Sequence, residues 1–218
     1  SGSQPRRSNE IVYDTSSLEN GVYPVVVSVQ YDDGKELTQE ARFRADNWWT
    51  KTIDMKEPED AGWFGVIDHL GTVERSDDWV FETDQVRGDF DVPHRMMRSG
   101  LDVSYLVWET KGLTSAALTV YNTTEEVDAI QFFIDRGDGD WRRVFYEVEM
   151  KAMSEVEGVE PSHSRLYQLV LSKAFEGEVE AFRIQIAPEG AGSQAQLGKL
   201  ELKARKCRLL KRCRTCRG

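Results

Sequence analysis

Between Val103 and Val148 four apolar runs, VSYLVWE, SAALTVYN, AIQFFID and RRVFYEV, are separated by short turn-forming segments, and this block constrains the fold more than any other part of the chain. Val103, Tyr105 and Val107 alternate with Ser104 and Leu106, and Ile130, Phe132 and Ile134 alternate with Ala129, Gln131 and Phe133. A period of two is that of a strand, whose successive side chains leave by opposite faces. The breaks are Lys111-Gly112, the stretch from Asn122 to Asp128, and RGDGD from Arg136 to Asp140, all rich in residues that turn or solvate a backbone. Strands recur about every 12 to 14 residues, the rhythm of an antiparallel sandwich or barrel.

The same period extends outward from that block. Tyr23, Val25, Val27, Val29 and Tyr31 share one face of a strand, Asp32-Asp33-Gly34 turns it, and Leu37, Ala41 and Phe43 return, so residues 11–47 are expected to form three strands that include a hairpin. Further on, RLYQLVLSKAF places Tyr167, Leu169 and Leu171 on one face, and Phe182, Ile184, Ile186, Leu200 and Leu202 close the sandwich. Residues 48–77, with Pro58 and little periodicity, read as a loop carrying one or two short strands.

Charge narrows the partners. Residues 203–218 hold eight of the 28 basic residues and no acid, which leaves the preceding 202 residues with 20 basic residues against 38 acidic ones, a formal charge of −18. Such a body repels phosphate backbones, arguing against nucleic acid and for neutral or cationic ligands or metal ions. No apolar run approaches the roughly 20 residues that cross a bilayer, so no membrane insertion is expected. The three cysteines, Cys207, Cys213 and Cys216, all lie in the basic tail, and a body without cysteine suits an exported bacterial β-domain. One C-x-x-C without a nearby His falls short of the four ligands of a structural zinc. The chain opens SGSQPRRSNE, without Met and without an apolar leader core, and reads as part of a longer protein.

Two stretches resemble known families. The segment from Tyr13 to Asn47, YDTSSLENGVYPVVVSVQYDDGKELTQEARFRADN, is similar to the closing strands of the Ig-like modules of bacterial surface proteins and glycosidases, with Asp46-Asn47 at the usual terminus. The segment from Trp79 to Leu202 resembles the galactose-binding-like jelly rolls appended to bacterial polysaccharide-degrading enzymes. The likeness rests on an opening W-x-F-x-T strand, the Arg-bearing HRMMRS, YLVWE, GLTSAALTVY, a hairpin containing DG-x-W, and the closing FRIQI and QLGKLEL strands. The resemblance implies an all-β, antiparallel jelly-roll sandwich preceded by an Ig-like hairpin segment. It implies glycan binding without catalysis and keeps a structural calcium among the expectations.

Candidate site residues follow. Trp48, Trp49 and Trp63 can either plug a seam between modules or offer indole platforms to sugar rings, whose CH faces stack on an aromatic ring. His94, Arg95 and Arg98 form the distinctive polar segment. Each guanidinium can fork onto sugar hydroxyls or a uronate carboxylate, or pair with the neighbouring Asp91 or Asp102. Asp135, Asp138 and Asp140 crowd one turn and could offer hard oxygen ligands to calcium, although the spacing departs from D-x-D-x-D-G and also suits a solvated hairpin turn. The two RGD tripeptides, at Arg87 and Arg136, read as turn composition. No G-x-S-x-G elbow is present, and the three His stand in loop-like contexts, so no catalytic residue is assigned.

The organisation expected is therefore residues 1–10 disordered or expression-derived, 11–47 an Ig-like fragment, 48–61 a connector, 62–203 the jelly roll, and 204–218 a basic Cys-containing tail. The function expected is a non-catalytic carbohydrate-binding module of a larger extracellular or cell-surface protein. Its partners would be a polysaccharide and other domains of the same polypeptide, and the chain itself a monomer. The alternatives are a spacer supporting a neighbouring catalytic domain, or a stand-alone glycoside hydrolase or lyase.

Overall fold

The computed structural model describes residues 18–30, 33–60, 66–82, 90, 94–155 and 165–205. All regular structure among these residues is β-strand, and the chain divides into two compact units, Ser1–Trp48 and Trp49–Gly218.

In the first unit β1 (Gly21–Gln30) and β2 (Glu36–Ala45) form the expected antiparallel hairpin, with Tyr23 opposite Phe43, Val25 opposite Ala41 and Val29 opposite Leu37. Tyr23 and Phe43 stack with ring centroids 5.6 Å apart, a cross-strand pair of the kind that stabilises a sheet face. Gly34 takes a φ of 81°, which a side chain would strain, and Asp33 Oδ1 accepts the Lys35 amide at 3.1 Å. The hairpin is closed at its base by Asn20, whose Oδ1 accepts the amides of Asn47 (2.8 Å) and Trp48 (2.9 Å). Asn47 Nδ2 donates to the Leu18 carbonyl at 3.1 Å. The first of the three strands expected over residues 11–47 falls largely outside the described residues.

The second unit is an antiparallel β-sandwich. Its strands are β3 (Trp48–Asp54), β4 (Glu59–Asp60), β5 (Val66–Ile67), β6 (Glu74–Arg75), β7 (Trp79–Glu82), β8 (Arg95–Arg98), β9 (Ser104–Glu109), β10 (Leu113–Asn122), β11 (Ile130–Asp135), β12 (Arg142–Val144), β13 (Glu147–Glu155), β14 (Arg165–Ala174), β15 (Ala181–Ile186) and β16 (Gln196–Arg205). The larger sheet runs β13-β14-β10-β16-β8-β7, with β3 also paired to β16; the smaller runs β12-β11-β15-β9-β6; β4 and β5 form a separate ribbon.

Alternation fills the space between the sheets. From the larger sheet come Leu118 and Val120 of β10, Leu169 and Leu171 of β14, and Leu197, Leu200 and Leu202 of β16. Against them stand Leu106 and Trp108 of β9, Ile130, Phe132 and Ile134 of β11, and Phe182, Ile184 and Ile186 of β15. Each such side chain contributes about 1.5–3 kcal/mol by leaving water. At the centre, Phe132 meets Phe182 edge-on at 5.1 Å, and Trp108 stacks on Phe182 at 6.3 Å. Trp108 keeps its indole N–H satisfied by donating to the Leu70 carbonyl at 2.9 Å.

Two local expectations give way. RRVFYEV is not one strand: β12 ends at Val144 in the smaller sheet and β13 begins at Glu147 in the larger, so Phe145 and Tyr146 carry the crossing. Residues 48–77, read as a loop with one or two short strands, hold four among the described residues, β3 to β6, and the longest of them, β3, pairs with β16. FRIQI and QLGKLEL, grouped as the closing strands, lie in opposite sheets.

Candidate functional site

Arg95 and Arg98 do not act together, because an odd separation along a strand sends them to opposite faces. Arg95, 3% exposed, lays its guanidinium 3.9 Å from the centroid of the Tyr121 ring and donates through Nη1 to Gln196 Oε1 at 2.9 Å. Arg98, 2% exposed, donates to the carbonyls of Ala187 (2.8 Å) and Gly100 (2.5 Å). Beside it the Asp78 carboxylate accepts the Ser104 hydroxyl. Burial pushes the Asp78 pKa up, but the hydrogen bonds from Ser104 and Ser76 and the nearby Arg98 outweigh it, and the net shift is downward.

His94 is half-buried and, with Arg95, lines a cavity of about 200 Å³ bounded by residues 55–59 and Phe81. Within that wall Lys56 pairs with Glu59, and His69 Nε2 lies 3.6 Å from the same carboxylate. The Lys56 ammonium holds the Glu59 pKa below its ordinary value. These charges are spent largely on one another.

Trp48 donates its indole N–H to the Leu18 carbonyl at 2.9 Å, which ties it to the base of the first hairpin. Trp49 is half-buried at the start of the second unit, and Trp63 lies outside the described residues. Asp135, Asp138 and Asp140 are engaged locally. Asp135 Oδ1 accepts the amides of Gly137, Asp138 and Gly139 at 2.9, 3.2 and 3.1 Å. Asp138 and Asp140 face Arg142 at 2.5 and 3.7 Å. Among the described residues no group of three or more His, Cys, Asp or Glu side chains is placed to hold a metal ion.

A second concave feature lies where β12 hands over to β13. A cleft of about 410 Å³ is walled by Glu125, Glu126 and Asp128 on one side and by residues 143–146 and Val148 on the other. Two consecutive aromatic residues build it. Tyr146 turns inward, with its ring 4.7 Å from Phe132 and its hydroxyl 2.8 Å from the Val127 carbonyl and 2.7 Å from that of Ile130. Burial drives its pKa up to about 12, so the phenol stays a donor. Phe145 turns outward and is 77% exposed, with the Arg143 guanidinium 5.7 Å from its ring centroid.

The opposite wall is pre-set by Asn122. Its Nδ2 donates to the carbonyls of Thr124 (3.2 Å) and Glu126 (2.9 Å) and to Thr124 Oγ1 (3.0 Å), folding residues 122–126 into a fixed turn. The cleft therefore offers an exposed ring, carboxylates that accept hydrogen bonds and a guanidinium that donates them, all on tethered backbone. The sequence carries a trace of it: Val144, Phe145 and Tyr146 are three successive apolar residues where period two would demand a polar one.

Neither the protein-family models nor the curated proteins searched include a match to this chain.

Proposed function

We propose that this chain is a non-catalytic carbohydrate-binding module with a jelly-roll-type sandwich, acting beside other domains of a larger extracellular protein and holding a polysaccharide in the cleft at the β12–β13 crossing. The observation that carries this reading is the exposure of Phe145 on a rim whose neighbours are fixed. A ring 77% open to water is free to meet an apolar partner, and a pyranose CH face supplies one. Around it Glu125, Glu126 and Asp128 accept from sugar hydroxyls and Arg143 donates to them. Because Tyr146 and Asn122 already hold both walls, little conformational entropy is lost when a ligand enters.

Affinity electrophoresis of the whole chain through gels containing a panel of plant, algal and animal polysaccharides tests the reading. Retardation by at least one polysaccharide that Phe145→Ala abolishes, in a variant that melts like the parent, is the expected result. Failure of every gel to retard the folded chain removes the proposal.

The spacer reading has one observation in its favour. None of the five described tryptophans is fully exposed, and Trp48, Trp79 and Trp108 commit their indole N–H groups to the carbonyls of Leu18, Tyr105 and Leu70. Indoles tied down in this way brace a domain. The same gels decide between the two readings.

A further inference from the structure

On the outward face of the smaller sheet the antiparallel register lines up Arg143 of β12, Phe133 of β11, Arg183 of β15 and Val107 of β9 in one row. Registered partners share a face, so the row continues directly from the cleft wall at Arg143. Arg183 is held within it by two rings, its guanidinium carbon 4.5 Å from the centroid of Phe133 and 4.8 Å from that of Trp141. Such a double stack fixes the plane of the fork and strips water from its faces.

No ion pair joins Arg183 or Arg143 to a carboxylate among the described residues. Arg183 Nε is moreover buried without a hydrogen-bond partner. With its faces covered by rings and its Nε occluded, the guanidinium has only its Nη edge to offer an anion. The carboxylate bordering the row, Glu74, takes the Tyr105 hydroxyl at 2.9 Å and acts on Arg183 through its charge without forming an ion pair with it.

Resting on the reading that the cleft binds a glycan, we infer that this glycan is acidic, and that Arg143 and Arg183 each take one of its carboxylate or sulfate groups as the chain crosses the strands. The two arginines stand two strands apart, about 10 Å. That is close to the length of a disaccharide, so the charges sit on alternate sugars. The formal charge of −18 over residues 1–202 works against any polyanion, so the attraction has to come from these two guanidiniums at short range, where the body's more distant charges are screened.

Gels containing hyaluronate, in which uronate alternates with a neutral sugar, and gels containing κ-carrageenan, in which sulfate alternates, are compared with the carboxyl-reduced and desulfated forms of the same polymers. The expected result is retardation of the whole chain by one acidic polymer and at least ~10-fold weaker binding to its neutralised form. Arg183→Gln and Arg183→Lys should each weaken that binding ~10-fold or more, since an ammonium cannot reproduce the bidentate fork. Arg183→Lys keeps a cation at the site and serves as the folding control, read by its melting temperature. Retention that disappears below about pH 4 marks a carboxylate and retention that persists marks a sulfate. Equal retardation by acidic and neutralised polymers, or full binding by Arg183→Gln while Phe145→Ala is inactive, overturns the assignment and leaves the cleft reading standing. No retardation by any polymer, acidic or neutral, overturns both.

Discussion

The ring of Tyr121 lies over Gly198 so closely that a β-carbon on the glycine would come 2.6 Å from Cε2. This approach depends on the register shift between β10 and β16, where Thr119 faces Lys199 but Val120 faces Leu197, leaving Gly198 as the extra residue of a bulge. Tyr121 then packs with Phe90 at 5.4 Å and beneath the Arg95 guanidinium, which is how a tyrosine on the outward face of a sheet becomes fully buried. Gly198→Ala should therefore displace the ring and lower stability by about 1–3 kcal/mol. Urea denaturation would register this as a lower midpoint at unchanged slope, and an unchanged midpoint would show that the ring can move freely.

Arg98 should be the costliest polar residue to lose. Arg98→Leu leaves the carbonyls of Ala187 and Gly100 and the carboxylate of Asp78 without their cation, a loss of about 3 kcal/mol. Arg98→Lys should recover only part of it, because one ammonium cannot span both carbonyls in the geometry of the fork. Thermal melts of the two variants, ranked against the parent, check the order.

Alkaline stability should depend on Tyr146. Burial raises its pKa from 10.0 to about 12, so between those values the unfolded chain releases a proton that the folded chain retains. The contribution is complete below pH 10 and is lost as the pH climbs towards 12. Tyr146→Phe removes this dependence and, near neutrality, costs about 1 kcal/mol for the missing hydroxyl contact. Denaturation midpoints collected from pH 8 to 12 should thus fall less steeply for the variant; parallel curves would contradict the assignment.

Phe145 should separate binding from folding. With its ring 77% exposed, Phe145→Ala should change stability by less than about 0.5 kcal/mol. Its affinity for a retained polysaccharide should nevertheless drop at least ~10-fold. Melting curves measured alongside affinity gels would show one property moving without the other.

Much of the sandwich was legible because burial on one face imposes a period of two. Ile130, Phe132 and Ile134, and likewise Leu169 and Leu171, were visible as core positions, and the hairpin from Tyr23 to Phe43 was visible from its Asp-Asp-Gly turn. What the pattern could not reveal was where a strand changes sheets. The run RRVFYEV is uninterrupted as text, yet its middle crosses the sandwich, and the cleft is a product of that crossing. Arg95 and Arg98 stood out by composition, but only parity along β8 decides that one meets Tyr121 and the other meets carbonyls. Arg183 gave no signal, since its neighbours Phe133 and Trp141 are remote from it in sequence and reach it only through the pairing of β11 with β15 and with β12, which Trp141 precedes.

The position of β16 has a consequence for how the protein is made. It is the last described strand, yet it pairs with β10, β8 and β3 and so forms the spine of the larger sheet. On a ribosome, those earlier strands emerge with their future central neighbour still untranslated, their backbone edges open and their leucine-rich faces uncovered. Long-range pairing of this kind is slow and exposes aggregation-prone edges while it waits. A nascent chain halted before Gln196 should hold a chaperone, and release it only when the ten residues of β16 have left the exit tunnel.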